Sequence, residues 1–417
     1  MLKRSSLVVV KTLIFLWMSV AVCSQAAAPE SFSVKFLVTL EPARQGASVT
    51  LRVDRGELLK HLNFENRDKM ISEIKANGTL RYEGDRVYWD LPSGASTLSY
   101  FVKITHERSP GKYDAIINDD WALFRGDDLV PAMHIDTGEV MGSYSNTTLE
   151  FILPKSWKSV KTGWPREQGN TFRIDNPERR FDRPTGWMIA GKIGTRTTTI
   201  KGTVITVAAP MGQNYQRMDA LVFLRFVWRE IHKAFLQTPD RLLVVGAGDP
   251  MWRGGLSASN SLFLHADRPL VSENGTSPLV HELSHMVTRI SGVVTANTND
   301  DWIAEGLAEF YSFELLYRAD GLSRSRRARI ITDLGKWGAD VKHLRRSKSS
   351  GPITARAVVL LDQLDKEIRQ RSDDKYSLDN VTRKLMIKRN VSLADLRAAS
   401  EELIGKNIQT LDSPLLR

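Results

Sequence analysis

The pentapeptide HELSH, His281 to His285, constrains this chain more than any other stretch, because its side chains act together only on a helix. Residues four apart lie one above the other on a helical face, so the imidazoles of His281 and His285 can reach a single metal ion. Glu282 points beside that site, where its carboxylate can take a proton from a metal-bound water. The flanks agree with a helix. Pro278 stands early, where its missing N–H costs nothing, and Ser277 or Thr276 can cap the start. Leu279, Val280, Leu283, Met286, Val287 and Ile290 give an apolar surface at helical spacing, and Gly292 is expected to end it.

A third ligand is expected from the next helix, where residues 300–311 read DDWIAEGLAEFY with Asp300 as a cap. Ile303, Leu307, Phe310 and Phe313 would anchor that helix, leaving Glu305 for the metal. A His, His, Glu set holding one Zn2+ per chain keeps the fourth tetrahedral position open, the arrangement of a catalytic site. Glu309, with Asp301 as a second candidate, is placed to accept the outer N–H of a ligand histidine. The bland alternative is a structural histidine pair beside a solvated acidic face. The two motifs at this distance weigh against it, and together they form the metallopeptidase pattern.

The 417 residues suggest two or three domains with ample core. Lys3, Arg4 and Lys11 precede or flank an apolar run from Leu13 to Val22, and Ser24 and Ala26 then offer a cleavage site. Residues 1–26 therefore read as a secretory signal peptide, with an uncleaved anchor as the alternative. Export to the periplasm or the exterior is expected, with no stable membrane span after cleavage. Cys23, the one cysteine, would leave with the signal, so packing rather than disulfides must hold the mature chain. Losing the three cations lowers the formal charge of +10 to +7. The dense basic runs, 323–329 and 342–348, lack any nucleic-acid motif around them and read as solvated helical faces.

Residues 27–205 show short alternating segments broken by turn residues such as Asn77-Gly78 and Pro110-Gly111. An antiparallel β-sandwich domain is expected there, with Trp89, Trp121, Trp157 and Trp164 in its core. Residues 206–417 are expected to form the catalytic domain. It opens with an amphipathic helix over 212–236, and two strands follow in RLLVVGAGDP and NSLFLHADRP. Helices are expected over 354–372, 377–389 and 392–405. Between the two strands lies GGLSAS, where Gly254, Gly255 and Ser257 read as a site of close substrate approach on a small edge sheet. His265 reads as a strand-surface residue.

HELSH, followed after a short gap by WIAEGLAEFY, resembles the gluzincin metallopeptidases, and within them the glycyl aminopeptidase family, related to the aminopeptidase N superfamily. FDRP (181–184), GGLSASNS (254–261) and residues 360–385 fall in that family's order. The resemblance implies an α+β chain: an N-terminal β domain, then a mainly helical thermolysin-like domain. It also implies zinc on His281, His285 and Glu305, with Glu282 activating the water. Two departures stand out. Relatives carry an acidic residue near Ser257 that grips a free amine, and many have a tyrosine where Ile353 or Thr354 stands here, with Tyr376, Tyr311 or Tyr317 as substitutes. The expected function is a secreted or periplasmic zinc metallopeptidase acting on a peptide or protein. The alternatives are a catalytically impaired binding protein of the same fold and a zinc hydrolase of a non-peptide substrate.

Overall fold

The structure is a computed structural model that describes residues 30–66, 69–136, 143–175, 181 and 183–417. The expected signal segment lies outside the described residues. Among those described, no helix is long and apolar enough to cross a membrane.

The N-terminal strands form sheets of seven, five and four strands. Ser31–Glu41 shows why: Phe32, Val34, Phe36, Val38 and Leu40 alternate into the core while their neighbours point outward. That strand pairs antiparallel with Gly46–Val53 but parallel with Tyr144–Ile152. The expected purely antiparallel sheet is therefore mixed, because alternation fixes which side chains face inward and says nothing of strand direction. Trp89, Trp121, Trp157 and Trp164 are all buried, as core residues should be.

The sheet beneath the site comprises β1 (Ile193–Ile200), β2 (Thr203–Pro210), β3 (Arg241–Ala247), β4 (Gly255–Ala258) and β5 (Ser261–His265), in the order β1-β2-β3-β5-β4. The β2–β3 and β3–β5 pairs are parallel, the two outer pairs antiparallel. The expected boundary at residue 205 falls inside β2, so the β1–β2 hairpin belongs with the later strands. A hairpin's alternating pattern is the same whichever sheet receives it. Trp121, Leu123, Trp187 and Ile189 of the five-stranded N-terminal sheet pack on Leu243, Val245 and Phe263.

Helices cover the other face. They are α1 (Arg217–Ala234), α2 (Pro278–Thr288), α3 (Asp301–Arg318), α4 (Arg324–Trp337), α5 (Pro352–Arg371), α6 (Leu378–Lys388) and α7 (Leu393–Ile404). Leu221, Leu224, Val227 and Ile231 of α1 turn inward with Trp228. In α3 a Cβ on Gly306 would stand 2.9 Å from Ala357 and Leu361, so glycine there lets α5 lie close against the helix that carries Glu305. The α7 start is a capping box, with the Ser392 N–H on the Asp395 carboxylate at 2.8 Å.

The two basic runs depart from a solvated helical reading in different ways. Residues 323–329 do open α4, but Arg327 turns inward to Glu314 at 2.6 Å and Asp362 at 2.8 Å, two carboxylates whose burial requires a cation. Residues 342–348 are not helical. The Leu344 N–H bonds Leu415, and Arg345 bonds Asp300, so this stretch is tied down as a loop.

Candidate metal centre

Ser277 starts α2: its hydroxyl accepts the Val280 N–H at 3.2 Å, with Pro278 at the first helical position. The helix ends at Arg289, in the left-handed region (φ 52°), three residues before the expected Gly292. Leu279, Val280, Leu283, Met286 and Val287 are buried, whereas His281, Glu282 and His285 form the accessible stripe. In α3 the accessible stripe is Asp301, Glu305 and Glu309, spaced four apart, with buried residues between them from Trp302 to Ala308. The two stripes face one another.

His281 Nε2 and His285 Nε2 stand 3.2 Å apart; Glu305 Oε2 lies 3.6 Å from the first and Glu305 Oε1 3.6 Å from the second. Ligands about 2.0–2.2 Å from a common tetrahedral centre stand about 3.3–3.6 Å from one another, so this donor set fits zinc. It is also the one group of three or more His, Cys, Asp or Glu among the described residues with metal-binding proximity. With both Nε2 atoms turned to the shared centre, His281 Nδ1 is left to Glu309 Oε2 at 2.9 Å. The charges support one another. Burial opposes protonation of His281, but the Glu305 and Glu309 hydrogen bonds outweigh it and raise its pKa to about 10. Burial likewise opposes ionisation of Glu305, yet the two imidazoles hold its carboxyl well below the usual range.

The edge strand β4 meets this centre through its backbone. The Ser257 N–H donates to Glu282 Oε2 at 2.8 Å, and a Cβ on Gly255 would lie 2.9 Å from Glu282 Cγ. Gly255 is thus required by Glu282. At Gly254 a Cβ would strike the Trp252 ring at 2.1 Å. Both glycines are thus held to a bare Cα by contacts within the chain. Ser257 brings no carboxylate to the strand.

Asp301 sits at the end of its stripe but takes the Ser349 N–H at 3.3 Å, with no hydrogen bond to either histidine. Burial and then Glu305 raise its carboxyl, while the Ser349 N–H and Lys348 pull the other way. Asp300 does not cap α3 with its side chain. Its buried carboxylate is gripped by Arg345 at 2.6 and 3.0 Å and by the Leu393 N–H at 3.1 Å. Tyr311 is fully buried against Asp379 and Thr382, so it is not a donor at the metal centre. His265 is fully buried, a correction to its surface reading; its Nδ1 accepts the Asp267 N–H at 3.1 Å. A cavity of about 870 Å³ runs from Trp164 to Asn260, Arg289 and Arg389, and none of the metal-facing residues lines it.

The mixed α/β fold is similar to that of solved structures. An aminopeptidase N family protein from Idiomarina loihiensis is 16% identical with a TM-score of 0.69, over 92% of this chain and 76% of that one. An M1 zinc metallopeptidase from Deinococcus radiodurans is 16% identical with a TM-score of 0.55, over 93% of this chain and 94% of that one. A mutant form of the latter, bound to a Tyr-Ser-Ala substrate, gives a TM-score of 0.57 at 16% identity over the same shares. No protein-family model matches the sequence, and no curated protein sequence matches it.

Proposed function

We propose that this chain is a zinc-dependent metallopeptidase, exported from the cytoplasm, that hydrolyses peptide bonds. The observation that carries the reading is the placement of Glu282: its charge acts on His281, one of three converging ligands, while the Ser257 N–H holds Oε2 and Oε1 has no hydrogen bond among the described residues. His281, His285 and Glu305 would hold the metal, and Glu309 would keep His281 in the tautomer that offers Nε2. Zinc, when bound, supplies a Lewis acid for the scissile carbonyl and lowers the pKa of water toward about 7. Glu282 takes the proton of the attacking water and returns it to the leaving amine. A peptide extended along the free edge of β4 would lie across that carboxylate. The finer likeness to glycyl aminopeptidases and to a thermolysin-like domain rests on the motif order.

The test is zinc analysis of the purified chain together with product mapping on a mixed peptide library. Metal at one equivalent with peptide products is expected. Substituting Glu282→Gln should leave zinc bound and abolish products; an undiminished rate in that variant rules the mechanism out.

A further inference from the structure

The loop over residues 342–348 lies against the start of α3, the helix that carries Glu305, and three bonds to residues 299–301 fix it there. The Asn299 N–H donates to the Arg345 carbonyl at 2.7 Å, Arg345 grips Asp300, and the Ser349 N–H reaches Asp301 at 3.3 Å. Asp301 is one helical turn before Glu305 on the same accessible stripe, so Lys348, adjacent to Ser349, stands at the end of the row of metal-facing carboxylates. Arg345 is consumed by Asp300. Lys342, Arg346 and Lys348 are different: all three are exposed and make no hydrogen bond or close ion pair among the described residues, and Lys348 faces the Asp301 charge through space.

The accessible surface around the three ligands is otherwise acidic. Glu282, Glu305, Glu309 and Asp301 line it, more negative charge than one divalent metal balances. An anionic group on a substrate is repelled along most of this surface and attracted where the loop adds exposed cations, of which Lys348 already acts electrostatically on Asp301. We propose that Lys348 is a specificity-determining residue that receives a carboxylate of the substrate peptide, from an Asp or Glu side chain or from the free C-terminus. This deepens the peptidase reading and rests on it for the identity of the ligand.

The experiment measures binding apart from turnover. Fluorescent N-acetylated peptides are titrated by anisotropy into the full-length, zinc-loaded Glu282→Gln chain. Glu or Ala is placed at each position in turn, with the C-terminus free or amidated. One carboxylate position should tighten binding about fivefold over its neutral counterpart, the upper range for an exposed ion pair. That gain should shrink as salt rises above about 0.15 M. If amidation removes the gain, the C-terminus is the source; if it persists only with Glu, the side chain is. Lys348→Glu should abolish or invert the preference, whereas Lys348→Arg should keep it. Equal binding of peptides with and without a carboxylate overturns the proposal, as does a preference untouched by Lys348→Glu or no measurable binding of any carboxylate peptide. Carboxylate-dependent binding without cleavage by the unsubstituted chain would remove the peptidase reading and leave the carboxylate site standing.

Discussion

The Ser257 backbone N–H holds Glu282 Oε2 at 2.8 Å, joining the last strand of the sheet to the helix that carries both histidines. Because β4 is an edge strand and this N–H points away from β5, proline at position 257 removes the donor without breaking a ladder bond. A hydrogen bond to a charged group contributes about 1.5–3 kcal/mol. Ser257→Pro should therefore lower kcat/KM by roughly tenfold or more while zinc content and the melting temperature hold. Ser257→Ala keeps the N–H and should be close to neutral. Steady-state kinetics on both variants decides the matter; equal losses would mean that the hydroxyl, not the backbone, is what counts.

Glu309 contributes through His281. Its carboxylate on Nδ1 at 2.9 Å fixes which ring nitrogen faces the metal. Removing such a partner typically weakens metal binding by about 10–100-fold. Glu309→Ala should show that loss in competition against a chelator, with activity recovering at saturating zinc. Unchanged chelator competition would show that packing alone orients the ring.

The helix that bears Glu305 is anchored by Asp300, which is almost wholly buried and gripped by Arg345. Removing one member of a buried ion pair costs about 3–5 kcal/mol, because the remaining charge is left without a partner. Arg345→Met should lower the melting temperature strongly, while the double change with Asp300→Asn should recover part of it. A single Arg345→Met variant as stable as the parent chain would show the pair to be dispensable.

Much of the site was legible in the sequence because helical spacing alone puts His281 with His285 and Glu305 with Glu309, and apolar neighbours fix which face stays open. The cap at Ser277 was visible for the same reason: it is local. What escaped is non-local or backbone-borne. Every residue carries an N–H, so nothing in GGLSAS announces that Ser257 would hold Glu282. Asp300 looked like a cap because a cap is the local use of such a residue; Arg345, distant in sequence, claimed it instead. The parallel pairing of Ser31–Glu41 with Tyr144–Ile152 is long-range in the same sense.

Acid should loosen the C-terminal segment. Glu367 accepts the Gln409 and Thr410 N–H groups, both at 2.9 Å. Burial pushes its carboxyl up, but the Thr410 and Gln409 hydrogen bonds and Arg371 outweigh it and hold the pKa below the ordinary glutamate value. Asp395 is lowered likewise: burial opposes, and Lys388 and Ser392 prevail. A carboxyl whose pKa is lower in the folded chain binds fewer protons there than in the unfolded chain. Its stabilisation is thus complete above the unfolded value, about 4.3 for Glu and about 3.9 for Asp, and is lost as pH falls through the lower folded value. Glu367→Gln mimics the protonated form at any pH. Hydrogen exchange at pH 7 should then quicken in residues 408–417 of that variant and not in α2 or α3. Uniform exchange across the chain in both proteins would mean that Glu367 does not hold this segment.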